Sequence, residues 1–169
     1  MDNFNSMGYR FHPTDQEIIH HFLEAKIRDG ADFSAVMKEV KFCNFEPWQL
    51  PEHSPLPSDN QEWFFFSKIV YKHSRSSSKR IDRTTREGSW KVTGQDREIY
   101  DENSGQLIGK RKTLVFYQGH GSNAVKTCWV THEFHSEIAS FDQEPFVLCH
   151  LKRKSDDEPS SRSASSSQN

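Results

Sequence analysis

A change of hydrophobic period between the first and second thirds of the chain constrains the fold more than any other feature. Before Gly30 the apolar residues Ile18, Ile19, Phe22, Leu23, Ala25 and Ile27 recur at helical spacing, which predicts one helix running to about Arg28. Thr14-Asp15-Gln16-Glu17 precedes the run as a capping box, Thr first and Glu three residues later. From Glu62 onward the period becomes two. Trp63-Phe64-Phe65-Phe66 reads as a buried strand, and Val70-Tyr71-Lys72 continues it or pairs with it. Ser89 to Thr93, Glu98 to Tyr100, Lys112 to Tyr117, Thr127 to Phe134 and Phe146 to Leu151 add short strands, with turns at Asn103-Ser104-Gly105 and Gly119 to Asn123. Between helix and strands, Ser34 to Glu39 is expected to form a second short helix with Phe33, Val36, Met37 and Val40 inward. Pro47, Pro51, Pro55 and Pro57 mark a turn-rich connection that anchors Trp48 without regular structure. Helices first and hairpin-linked strands afterwards predict an α+β domain built on an antiparallel sheet.

The chain has 169 residues, one domain's worth. Only 33% of them are hydrophobic, yet 12% are aromatic, with 13 Phe and 4 Trp. That combination implies an aromatic-rich core beside polar sequence that buries little. Ser155 to Asn169 holds seven serines and no apolar residue larger than Ala164, so residues 155–169 are expected to be a disordered tail. Nowhere do 18 apolar residues run together, so no membrane helix is expected. Met1 to Gly8 lacks the basic start and apolar stretch of a signal peptide. The widely spaced Cys43, Cys128 and Cys149 fit reduced thiols of an intracellular protein.

A net charge of −2 argues at first against a polyanionic partner. Position reverses that reading. Residues 1–67 carry 5 basic and 11 acidic side chains, net −6; residues 68–126 carry 13 and 6, net +7; residues 127–169 carry 4 and 7, net −3. Within the middle third, Lys68, Lys72, Arg75, Lys79, Arg80, Arg83 and Arg86 stand against Asp82 alone. Such a run is either a solvated basic loop or the electrostatic footprint of a polyanion site.

Catalytic and metal signatures are weak. Cys128, His132 and His135 with Cys149-His150 form the best candidate zinc set, but alternation on a strand turns His135 away from Cys128 and His132. His20 and His21 are neighbours on the helix and point about 100° apart. No nucleophile elbow, metalloprotease helix, phosphate loop or dinucleotide fingerprint is present. The expectation is therefore no enzyme, no metal and no cofactor.

The informative segment is Gly88-Ser89-Trp90-Lys91-Val92-Thr93-Gly94-Gln95-Asp96-Arg97. As a strand it places Trp90 and Val92 on one face, for a core, and Lys91, Thr93 and Gln95 on the other. A cation, a hydroxyl with a methyl, and an amide suit phosphates, thymine methyls and base edges, and a β element can enter the major groove. Gly88 and Gly94 bracket the strand and allow close approach of a ligand, or a bulge. An ordinary edge strand with a polar outer face would show the same pattern; the basic loop just upstream favours nucleic acid.

At this strand the chain resembles the DNA-binding domain of the plant NAC transcription factors. Gly8-Tyr9-Arg10-Phe11-His12-Pro13-Thr14-Asp15-Gln16-Glu17 is similar to the family's opening block, Phe45 to Pro51 and Glu62 to Ser67 to the next two, and Arg83 to Arg97 to the fourth. Lys112 to Tyr117, Lys126 to Glu133 and Val147-Leu148-Cys149 resemble the last. The resemblance covers about Gly8 to Lys154. It implies a domain over 8–154 after an N-terminal arm at 1–7, with a twisted antiparallel sheet flanked by a few short helices. It implies dimerisation through the first block, with Arg10 and Glu17 pairing across a two-fold axis and Thr14 beside them. DNA contacts carried over fall on Arg80, Arg83, Lys91 and nearby groups, with Lys72, Arg97 and Lys126 as phosphate candidates; Lys79 of the basic loop and Thr93 and Gln95 of the strand face complete the expected set. The loop holding Lys72 carries an insertion.

The implied function is sequence-specific binding of double-stranded DNA by a nuclear, homodimeric or heterodimeric transcription factor, without membrane or small-molecule substrate. Departures from the family pattern mark a divergent member. Asn5-Ser6-Met7 replaces a Leu-Pro-Pro lead, Ser89 a Tyr, Val92 an Ala and Phe146 a Trp, and Gly119 to Asn123 lacks lysine. With only the serine-rich tail after the domain, the alternative expectation is a dimerisation partner without an activation region, competing with full-length relatives.

Overall fold

The computed structural model describes residues 11–72, 80–139 and 145–155. The expected arm at 1–7, Arg10, Lys79 and the tail beyond Ser155 lie outside the described residues.

Thr14 caps the first helix, its hydroxyl accepting the Glu17 N–H at 3.2 Å. The helix runs unbroken as α1 (Asp15–Glu17), a π-helical stretch (Ile18–Leu23) and α2 (Glu24–Asp29), and ends at Gly30 in the left-handed region. Both boundaries agree with the sequence. The wider π turn carries Ile18, Ile19 and Leu23, all buried.

The second expected helix is not formed. Asp32 Oδ1 accepts the Ser34 N–H, the Val36 and Met37 N–H groups both bond Phe33 O, and the turn then opens into β1 (Lys38–Glu39). The backbone finds better partners on the neighbouring strand: Lys38 and Glu39 pair in parallel with Phe65 and Phe66, and the Val40 N–H bonds Phe66 O at 2.9 Å. The inward residues are as expected, with Met37 buried and Phe33, Val36 and Val40 packed against the cores.

The Pro-rich connection is more ordered than expected. It winds through three single turns of 3-10 helix, Phe42–Asn44, Pro47–Gln49 and Pro51–His53.

Five longer strands follow: β2 (Glu62–Lys68), β3 (Gly88–Tyr100), β4 (Leu107–Gln118), β5 (Val125–Ser136) and β6 (Phe146–Arg153). The sheet order is β1-β2-β6-β5-β4-β3, antiparallel throughout except for the β1–β2 pair. The α+β architecture read from the sequence is therefore present, as a twisted sheet of six strands with one parallel edge.

The central strands are buried on both faces, which explains the unbroken Trp63–Phe66 run. On one face Phe64, Phe66, Phe134 and Leu148 pack beneath the helix residues Ile18, Ile19 and Leu23. On the other, Trp63, Phe65, Trp90, Phe116, Trp129 and Leu151 pack beneath Phe42 and Leu50 of the 3-10 connection. Each fully buried ring, such as Phe65 or Phe116, contributes about 1.5–3 kcal/mol of transfer free energy. β6, β5 and β2 form the middle of this sandwich, and β3 is left at the rim.

Candidate nucleic-acid interface

β3 is anchored by Trp90 near its start and by Ile99 near its end, and is exposed between them. Trp90 is buried, its ring 5.5 Å from Phe42 and 5.2 Å from Phe116. Every residue from Lys91 to Glu98 is exposed. Val92, expected to pack into the core beside Trp90, is instead 47% exposed. Its cross-strand partner Leu114 is buried, but the layer over this face reaches β3 only at Trp90. Alternation assigns a face; it does not guarantee a cover for it.

A bulge interrupts the free stretch. Thr93 pairs with Thr113 and Arg97 with Arg111, so residues 94–96 stand opposite Lys112 alone. Gly94 makes this possible with φ of +70°, a backbone conformation that costs a side chain strain. The Lys112 ammonium holds the bulge through Asp96 at 2.7 Å. The bulge takes Gln95 out of the regular alternation with Lys91 and Thr93. It also blunts a long open edge against pairing with another strand.

Around this edge the structure gathers several expected residues. Lys91 Nζ lies 4.4 Å from the centroid of the Tyr117 ring, and Tyr117 stands in register with Lys126 on β5. Lys91, Tyr117 and Lys126 thus group at one end of β3–β4–β5, with both lysines exposed. Thr93 and Arg97 are exposed farther along. Arg111, opposite Arg97, is already engaged by Asp15 at 3.2 Å. Lys72 and Arg80 are exposed at the base of the basic loop, where the Lys72 N–H bonds Arg80 O at 2.7 Å. Lys79 lies outside the described residues.

Arg83 is placed differently. Its Nη2 donates to Glu133 Oε1 at 2.8 Å, and the side chains of the pair are only 16% and 10% exposed. His135 Nε2 meets the same oxygen at 2.6 Å. Burial works to raise the Glu133 carboxyl, but His135 and Arg83 outweigh it and hold the pKa below the ordinary carboxylate value. Sequence reasoning did not single out the buried Glu133. The available signal was an acid inside the apolar alternation of Trp129 to Phe134, where only a paired carboxylate is tolerated.

The histidines and cysteines distribute without convergence. Among the described residues no group of three or more His, Cys, Asp or Glu is placed to hold a metal ion. His132 and His150 are drawn down to about 4 and about 3, first by burial and then by neighbouring cations including Lys152. Burial pushes the Cys43 thiol up to about 12, and Cys149 likewise above its ordinary value, so neither is a nucleophile at neutral pH. Of the first block, Thr14 spends its hydroxyl on the helix cap and Glu17 is exposed.

Fold and site define an α+β domain with an exposed, bulged strand at its rim. The family described as No apical meristem (NAM) protein matches residues 6–136. CUP-SHAPED COTYLEDON 1 of Arabidopsis thaliana is 38% identical over 155 residues, 88% of this chain and 49% of that protein. NAC domain-containing protein 86 of the same plant is 38% identical over 87% of this chain and 31% of its own length. NAC domain-containing protein 54 of Oryza sativa subsp. japonica is 38% identical, with 87% and 23% covered. The chain belongs to the NAC family, and it spans half or less of the length of these three relatives.

Proposed function

We propose that this chain binds double-stranded DNA in a sequence-specific manner, as the dimeric DNA-binding part of a nuclear transcription factor. The observation that carries the reading is the edge of β3: eight consecutive exposed residues that include Lys91 and Arg97, bulged at Gly94 and grouped with Lys126 of β5. A two-stranded ribbon fits the major groove, which is about 12 Å wide. In this reading Lys72, Arg80, Arg97 and Lys126 meet phosphates, with Lys79 of the same basic loop. Lys91, Thr93 and Gln95 lie toward base edges. Phosphate contacts fix register while base contacts specify. Dimerisation falls to the first block, with Arg10 pairing to Glu17 of a second copy beside Thr14. The matched NAC proteins support the reading by family. The reading includes no chemical step.

Fluorescence anisotropy on duplexes recovered by selection from a random pool tests it. Log affinity should fall with log salt by about 0.9 per phosphate contacted, and the selected sequences should contain paired half-sites. A flat salt response, or recovery of unrelated sequences only, would overturn the proposal.

A further inference from the structure

We infer that Glu46 and Glu133 are positioning residues for the β3 edge, and that Arg83 serves the interface through Glu133 rather than by touching nucleic acid. The inference rests on the DNA-binding reading above and assigns its supporting groups.

Residues 82–88 form a strap along the outer side of the first residues of β3. The Trp90 N–H bonds Arg83 O at 2.9 Å, the Thr85 N–H bonds Gly88 O at 2.8 Å, and Thr84 bridges Ser89. The strap carries no apolar side chain between Ile81 and Trp90, so hydrophobic burial cannot hold it. Beside these backbone bonds, two carboxylates tie its side chains, each from a different part of the fold. Glu133 on β5 takes Arg83. Glu46, 5% exposed, takes the Thr85 hydroxyl on Oε2 at 2.7 Å and the Glu87 N–H on Oε1 at 3.0 Å. The Glu46 backbone N–H is satisfied by Gln49 Oε1, which fixes the turn that presents its carboxylate. Farther along, the Gly119 N–H bonds Glu87 O at 2.7 Å, joining the strap to the β4–β5 turn.

Electrostatics alone would make these acids a handicap beside a polyanion, since each repels it. That gives the test its sign. If Glu46 and Glu133 acted only through charge, Glu133→Gln and Glu46→Gln would strengthen duplex binding. Positioning requires the reverse, a loss of about tenfold, the order expected when a buried polar group loses its partner.

The salt slope separates positioning from contact. Arg83→Met should weaken binding with the slope unchanged, whereas loss of a phosphate contact lowers the slope by about 0.9. The double variant Arg83→Met with Glu133→Gln should lose little more affinity than the weaker-binding single variant, because both substitutions break the same contact. An Arg83 that read DNA itself would add its own loss to that of Glu133→Gln. Amide hydrogen exchange should quicken at Glu87 and Trp90 in the single variants, with β5 and β6 protection intact. Thr85→Val removes one donor to Glu46 more gently, and it covers the case in which Glu46→Gln does not fold.

Stronger binding in the glutamine variants, a lower slope in Arg83→Met, or additive losses in the double variant would each overturn the inference. Wild-type protein in the same titration measures DNA binding itself, independently of the variants. If it fails to bind, the proposed function falls and this inference falls with it; if it binds and the variants behave otherwise, only the inference falls.

Discussion

The Lys91 ammonium rests 4.4 Å from the centroid of the Tyr117 ring, on the strand next to its own. A long flexible side chain at an exposed edge is thereby held in one region instead of sampling many, and less entropy remains to be lost on binding. The ring keeps the charge aimed out of the sheet beside Lys126. Lys91→Gln should therefore cost both the contact and its counterion release. Duplex affinity should fall by about tenfold at moderate salt, and the log–log slope should become shallower by about 0.9. Tyr117→Leu should leave the slope alone and weaken binding by a few-fold, in line with about 0.5–1 kcal/mol for an exposed cation on a ring. An unaltered slope in Lys91→Gln would take this residue out of the interface.

Two glycines of β3 look alike in sequence and should respond very differently to alanine. A Cβ on Gly88 would fall 2.1 Å from the Tyr117 carbonyl oxygen and 2.7 Å from the Phe116 ring. Neither can move without disturbing the core, so Gly88→Ala should cost about 1–3 kcal/mol as an overpacked site. Gly94 has open space around it but φ of +70°, so Gly94→Ala should cost about 1 kcal/mol, from backbone strain alone. Urea midpoints of the two variants against wild type measure the difference. Equal shifts would contradict the close approach at Gly88.

These residues show how much could be read beforehand. The helix limits were legible because Thr14 and Gly30 act locally, by a cap and a left-handed turn that the residue types themselves favour. The buried strands were legible from their period. β1 was not, because two exposed residues pair through backbone alone and leave no side-chain pattern. The strand from Ser89 to Thr93 was legible, yet Val92 shows that parity cannot reveal where a covering layer stops. Arg83 marks a different limit. A guanidinium in a basic run reads the same whether it faces a phosphate or a carboxylate fifty residues on, and only the fold distinguishes them.

The buried histidines should make the domain acid-sensitive well before its carboxylates titrate. His132 and His150 are held neutral in the folded state, at about 4 and about 3 against 6.5 for the free ring. Their folded values are depressed, so the unfolded chain binds more protons between those limits. Stability is then complete above about pH 6.5 and declines as pH falls toward 4 and 3, by up to about 1.4 kcal/mol per unit for each proton taken up on unfolding. Glu62 lies 3.3 Å from His150 Nε2, but an imidazole held neutral at pH 7 makes this no ion pair there. His132→Phe should reduce the dependence of the urea midpoint on pH between 6.5 and 4. A wild-type midpoint that stayed constant over that interval would refute the neutral assignment.

His20 should act in the opposite direction. It links the helix to the β3–β4 hairpin, with Nε2 at 2.9 Å from Asp101 and Nδ1 at 3.3 Å from Glu24. Burial opposes its charge, but the two carboxylates outweigh burial and raise its pKa above 6.5. A raised folded value means that its contribution is full below the unfolded pKa and is lost as pH rises through the folded one. Asp101 is drawn down to about 2 by the Ser104 and His20 bonds, so it stays charged through that whole range. His20→Gln should therefore destabilise most near pH 6 and progressively less above neutrality. Exchange at the Asp101 and Gly105 amides, which close the hairpin turn, should show the same dependence. Because His132 and His150 weaken the fold on the acid side while His20 weakens it on the alkaline side, wild type should pass through a stability maximum near neutrality. His20→Gln should shift that maximum upward in pH; a downward shift, or a penalty that grows with pH, would exclude a charged His20 from the hairpin contact.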